Sequence, residues 1–216
     1  MALNQIQVGG IPSQSASDGQ VYAALGGKAT ETIVAELHGK YYTQTYRGFL
    51  FHGINATAAA IPANGTALTG FVLWNPSGNI KNLVPVRMTA GWSATTEAPG
   101  NIQLAFLAGA GATIATAAPV SAFTAATPQN GLLGGGNATT AKFGTAATLT
   151  TAGTVLTGTG WSHLTTTGTA TFGSFQYTYE YDGSLIIPPG VLVYPVASTA
   201  TASTYNITIV WYEAPV

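Results

Sequence analysis

The chain has 216 residues, a formal net charge of −1 and no cysteine. That length suits one β-domain with extensions, and the missing thiols exclude disulfides, zinc–thiolate sites and cysteine nucleophiles. Only 6% of residues are charged, against about a quarter in an ordinary soluble domain, and Lys28, Lys40, Arg47, Lys81, Arg87 and Lys142 stand singly, so the basic clusters that nucleic-acid binding requires are missing.

Residues 1–30 are rich in Gly, Ser, Gln and Ala and read as an extended arm. Their start lacks the basic and apolar regions of a secretory signal. Residues 31–216 read as a single β-domain. Only Ala23–Leu37, at the junction with the arm, could hold a short helix. From Tyr41 to Phe51, Tyr, Thr and Gln alternate with a period of two, which predicts a strand. Residues 68–74 (LTGFVLW) predict the next strand, and Asn75-Pro76-Ser77-Gly78 a β-turn. Residues 80–90 predict another; Pro85 cannot donate to a ladder, which places that strand at an edge or a bulge. Residues 101–107 are a further strand.

The stretch 108–170 is an Ala/Gly/Thr-rich excursion with β-like runs at 147–149 and 154–156. So long a loop without structure is unexpected in a compact domain. It reads as carrying one or two strands and packing on a neighbouring copy. Ala98 to Ala141 carries no charge at all, yet Pro99, Pro119, Pro128 and the glycines break any membrane span. The last third holds strands at 171–181, 191–197 and 205–213, with Asp182-Gly183 as a tight-turn pair. Regular strands with turn signals predict a sandwich or barrel. The expected core is Phe71, Leu73, Leu104, Phe106, Leu185, Ile187, Leu192, Ile207 and Ile209.

Chemistry-bearing patterns are scarce. No nucleophile elbow, phosphate-binding loop or H-E-x-x-H motif occurs. Ser162 and His163 are adjacent, so on a strand they face opposite ways. His38, His52 and His163 form no local metal motif. Glu180, Asp182 and Glu213 fall short of the oxygens a calcium site needs. Neither catalytic residues, a cofactor nor a metal is expected. Asn-x-Thr sequons stand at Asn55, Asn64, Asn137 and Asn206. In-register aromatics read first as core and cross-strand pairs. Trp92 and Trp161, set among Gly and Thr, are the candidates for exposed contacts, including glycan stacking.

Ala, Thr and Gly supply 95 of the 216 residues. The surface they build is wettable but carries little repulsion. That favours an obligate assembly component, at least a trimer.

Tyr181-Asp182-Gly183-Ser184-Leu185-Ile186-Ile187-Pro188-Pro189-Gly190, followed by VLVYPVA and the closing ITIVWYEAP, resembles the end of a viral-type jelly roll. The segment ELHGKYYTQTYRGFLF and the Gly/Ala/Thr-rich middle are similar in texture to structural proteins of tailed bacteriophages. The nearest class is the jelly-roll decoration, or cement, proteins of phage heads. The resemblance implies a jelly-roll β-sandwich, often trimeric, that sits on the major capsid protein or other virion proteins. It implies a protein made in the host bacterial cytoplasm and located on the capsid surface, with neither nucleic acid nor membrane as partner. The alternative is a receptor-binding module of a tail or head fibre that grips surface glycans.

Overall fold

The computed structural model describes residues 39–55, 57–65, 69–94, 100–109, 120–163, 176–198 and 204–215. The chain divides into two units, Met1–Tyr42 and Thr43–Val216. Of the first, only residues 39–42 are described, so the expected arm and the helical pattern of Ala23–Leu37 lie outside the described residues.

A single helical turn, α1 (Tyr42–Tyr46), precedes the strands β1 (Leu50–Ile54), β2 (Ala59–Ala60), β3 (Thr69–Asn75), β4 (Lys81–Ala94) and β5 (Gly100–Ala108). Then come β6 (Val120–Ala126), β7 (Gln129–Asn130), β8 (Lys142–Leu149), β9 (Thr154–His163), β10 (Gln176–Glu180), β11 (Val191–Ala197) and β12 (Thr204–Pro215). One sheet runs β10-β4-β12-β1-β7, with β2 attached to β12; the other runs β6-β8-β3-β11-β5-β9. Every ladder between them is antiparallel. The protein is an all-β sandwich.

The expected strand at 41–51 is corrected over its first half. Tyr42–Tyr46 is helical, and the strand begins only at Leu50. Local bonds decide this: Arg47 N–H donates to the Thr43 carbonyl at 3.0 Å, and Phe49 N–H to Gln44 at 2.8 Å. Gly48 ends the turn with φ +70°, a conformation natural to glycine at a helix C-terminus. A Cβ there would sit 2.7 Å from the Gly136 Cα.

β4 is a central strand, not an edge, lying between β10 and β12. Pro85 is tolerated for two reasons. It lies beside a bulge, where Val210 pairs with Arg87 and Trp211 with Pro85. It also lies past the last β10 pair, Glu180 with Arg87, so no ladder acceptor there is left wanting a proton.

The Ala/Gly/Thr-rich excursion carries β6, β7, β8 and β9, more than the one or two strands expected of it. Its strands pair within the chain, β8 on β3, β7 on β1 and β9 on β5. The alternating pattern of β3 explains how the second sheet is buried twice. Phe71 and Leu73 join the inter-sheet core, whereas Val72 and Trp74 join a second cluster with Leu149, Leu192, Tyr194 and Val196. The first sheet alternates more clearly along β12: Asn206 is exposed while Ile207 and Ile209 are buried, although the outward Val210 is buried as well. Between the sheets, Phe143 meets Phe71 edge-on at 5.0 Å and stacks near Trp211 at 6.2 Å, which in turn stacks near Phe51 at 6.0 Å. Seven of the nine expected core residues are buried. Phe106 and Leu185 are half-buried and pack at the margin of the core.

Candidate interaction site

The connections β3–β4, β6–β8 and β10–β11, together with the approach to β1, gather at one end of the sandwich. A polar network ties them together. Glu213, 3% exposed, ends the inward-facing row of β12. Its Oε2 accepts from Lys81 Nζ at 2.8 Å. Its Oε1 accepts from Thr139 Oγ1 at 2.6 Å, Thr140 N at 2.7 Å and Thr140 Oγ1 at 3.1 Å. Burial by itself raises this carboxyl, but those hydrogen bonds and the Lys81 charge outweigh it, and the group is held below the usual carboxylate range. Thr140 also accepts from Asn79 Nδ2 at 2.9 Å, and Asn79 reaches the Asn75 side chain at 2.6 Å. The buried Asn75 amide donates onward to the carbonyls of Lys81 and Ile187, at 2.9 and 2.8 Å. One buried carboxylate thus fastens the β6–β8 connection to the last strand.

That connection, residues 131–141, is also held from its other side. Asn130 Nδ2 donates to the Gly48 carbonyl at 2.7 Å and to that of Asn137 at 2.9 Å. Leu132 N–H donates to Asn130 Oδ1 at 2.8 Å, and Asn137 Nδ2 to the Arg47 carbonyl at 3.2 Å. At its tip Leu133 is 89% exposed.

At the opposite lateral edge, β10 faces β9. Between Leu104↔Leu156 and Ile102↔Trp161, β9 bulges through residues 157–160. Two tyrosine hydroxyls donate to the bulge carbonyls: Tyr179 to Gly158 at 2.7 Å and Tyr181 to Thr159 at 3.1 Å. Above this staple the core opens into a pocket of about 260 Å³. It is lined by Phe106, Leu156, Leu185, Ile187, Val191 and Val193, with Pro188 and Ile186 at the loop side. Ile186 is 63% exposed. The loop is shaped by the expected turn: Asp182 and Gly183 have φ of +51° and +82°, and Ser184 N–H donates to the Tyr181 carbonyl at 2.8 Å. These are the marks of a type I′ turn.

The residues singled out from the sequence are dispersed. Trp92 and Trp161 lie in β4 and β9, paired with Tyr205 and Ile102, not in the loops where their neighbours had placed them. Glu180 is exposed opposite Arg87, while Glu213 is buried against Lys81, so the three carboxylates are not brought together. Among the described residues, no group of three His, Cys, Asp or Glu is placed to hold a metal. Ser162 and His163 end β9, His52 lies in β1, and His38 is outside the described residues. Of the sequons, Asn55 is 1% exposed. It accepts from Ile207 N–H and donates to Thr57 and Tyr205 carbonyls at 2.9 and 3.0 Å, so it is a structural amide. Asn64, Asn137 and Asn206 are exposed. The Glu213 network and the pocket were both missed in the sequence. Only the apolar run before Pro188-Pro189-Gly190 pointed towards the latter.

No family model, curated protein or solved structure matches this chain.

Proposed function

We propose that this chain is a non-enzymatic virion structural protein that assembles with copies of itself on a tailed-phage capsid and stabilises it. The observation that carries the reading is the strand order. Taking β1, β3, β4, β5, β9, β10, β11 and β12 as eight principal strands, one sheet runs β1-β12-β4-β10 and the other β3-β11-β5-β9. That alternation between sheets supports reading the sandwich as a jelly roll, whose double Greek key is the architecture of many viral capsid domains. In this reading β6–β8 are an insertion between the fourth and fifth of those eight strands, β5 and β9. Fold alone does not give function. Two further features support a structural role: the scarcity of charge, which leaves neutral surface free to associate, and the investment of buried polar groups in fastening loops.

The test is sedimentation velocity of the purified full chain at micromolar concentration, followed by binding to particles stripped of it. A trimer or larger assembly that rebinds the particles is the expected result. A soluble monomer that ignores the particles and binds a glycan array would overturn the reading in favour of a fibre receptor-binding module.

A further inference from the structure

Two features at the same end of the sandwich are complementary in shape and chemistry. The 131–141 loop lies at the edge where β7 flanks β1 and β8 carries the second sheet. The pocket lies at the other lateral edge, where β10 and β9 meet. Among the described residues Leu133 is the most exposed of the large hydrophobics, at 89%, on a loop held by Asn130, Asn137 and Glu213. An apolar side chain presented on a pre-organised loop loses little freedom on docking. The pocket is lined by hydrophobic side chains and proline, and its volume of about 260 Å³ exceeds the roughly 150 Å³ of an apolar cavity that takes up benzene. An isobutyl group fits.

We propose that Leu133 of one copy inserts into the pocket formed by Phe106, Leu156, Leu185 and Val193 of the next copy. The inference rests on the self-assembly reading and names its contact. Knob and hole are different patches, so the contact is heterologous, and repetition closes into a ring when the rotation allows. Their places at one end but on opposite lateral edges suit copies standing side by side around an axis along the sandwich. The anchor is one aliphatic group entering an apolar pocket, and the low-charge flanks of both copies complete the seal around it. The runner-up knob, Ile80 at 77% exposed, sits in the short β3–β4 turn tied down by Asn79, and offers less reach.

The absence of native cysteine makes cross-linking decisive. Leu133→Cys chains carrying a tag are mixed with untagged Ile186→Cys chains and oxidised. The expected product is a tagged–untagged disulfide dimer, and the Leu133→Cys/Ile186→Cys double variant should give a ladder ending at the ring size. Leu133→Asp should raise the dissociation constant at least tenfold without altering the circular dichroism spectrum or melting temperature, because the side chain contributes nothing to its own core. If the wild-type chain assembles but the mixed dimer fails to form and Leu133→Asp leaves assembly intact, this contact is wrong while self-assembly stands. Disulfide formation between two Leu133→Cys chains alone would mean a two-fold contact and also overturn it. A monomeric wild-type chain would remove both.

Discussion

Gly53 and Asn55 show how single residues hold the sheets in register. A Cβ on Gly53 would lie 2.6 Å from the Phe143 ring, so glycine there is what lets the aromatic cluster bridge the sheets. Gly53→Ala should destabilise the protein by about 1–3 kcal/mol through overpacking, measured as a lower urea midpoint with unchanged slope. Asn55 spends its whole amide on the backbone of β12 and its own loop. Asn55→Ala should cost roughly 1–3 kcal/mol because it strands the buried Ile207 N–H, whereas Asn64→Ala, at an exposed site, should cost less than about 0.5 kcal/mol. Two titrating residues add a pH dependence of one sign. Burial first, then the Arg87 charge, hold His52 below its ordinary value of 6.5, and Glu213 is held below 4.5. In both cases the unfolded chain takes up the proton at a higher pH than the folded one. Stability is therefore complete above the unfolded values and falls as pH drops, first below about 6.5 and again below about 4.5. Urea midpoints from pH 8 to pH 3 should show both declines. His52→Gln should remove the upper one and Glu213→Gln the lower, the latter also weakening the fold at pH 7.

Among the elements, the β9 bulge and its tyrosines set the lateral edge of the sandwich. A Cβ on Gly160 would overlap the Ile102 carbonyl at 1.7 Å, so the strand turns back onto β5 only because that position is glycine. Tyr179 and Tyr181 then satisfy the carbonyls the bulge pushes out of the ladder. Tyr181→Phe keeps the ring in the core and removes one hydrogen bond, at a cost of about 1 kcal/mol. Hydrogen exchange at Leu104, whose N–H donates to Thr159 Oγ1 at 3.3 Å, should accelerate in that variant. Unchanged exchange there would mean the staple is not holding the bulge. The β8–β9 link is fixed in a similar way on the outer face: Gly153 N–H donates to the Tyr194 hydroxyl at 2.6 Å. Burial pushes that phenol upward, and the hydrogen bond opposes the shift.

For the whole molecule, the two sheets carry unequal roles. The first has a mixed outer face where Arg87, the buried Val210 and His52 lie in one cross-strand row. The second is buried on both faces, with Trp74 and Tyr194 outside and Phe71 and Val193 inside. Removing residues 1–30 should leave far-UV circular dichroism of the β-domain essentially unchanged and, on the proposed capsid role, weaken attachment to the particle. Loss of the β signal on that deletion would show that the segment is part of the fold rather than an arm.

Much of this was legible in local sequence. Period-two alternation located β12, where one face is buried, while short apolar runs between turn signals located β3 and β11, which are buried on both faces. Asp182-Gly183 announced a turn with two positive φ values because few other residue pairs adopt them at low cost. The scarcity of charge, and with it the expectation of assembly, is a property of composition alone. What the sequence could not decide was competition between partners. Tyr42–Tyr46 alternates like a strand, but intrahelical bonds and the Gly48 cap form without a ladder partner, and the helical turn results. Pro85 reads as an edge or a bulge, and it is the bulge, with a short neighbour, that gives it room in the middle of a sheet. Glu213 looks like a solvated strand end, and becomes a buried clasp only because Lys81, Thr139 and Thr140, up to 132 residues away along the chain, converge on it. Such long-range convergence leaves no periodic trace in the sequence, since it depends on which strands cross which, and that is settled only when the two sheets close on one another.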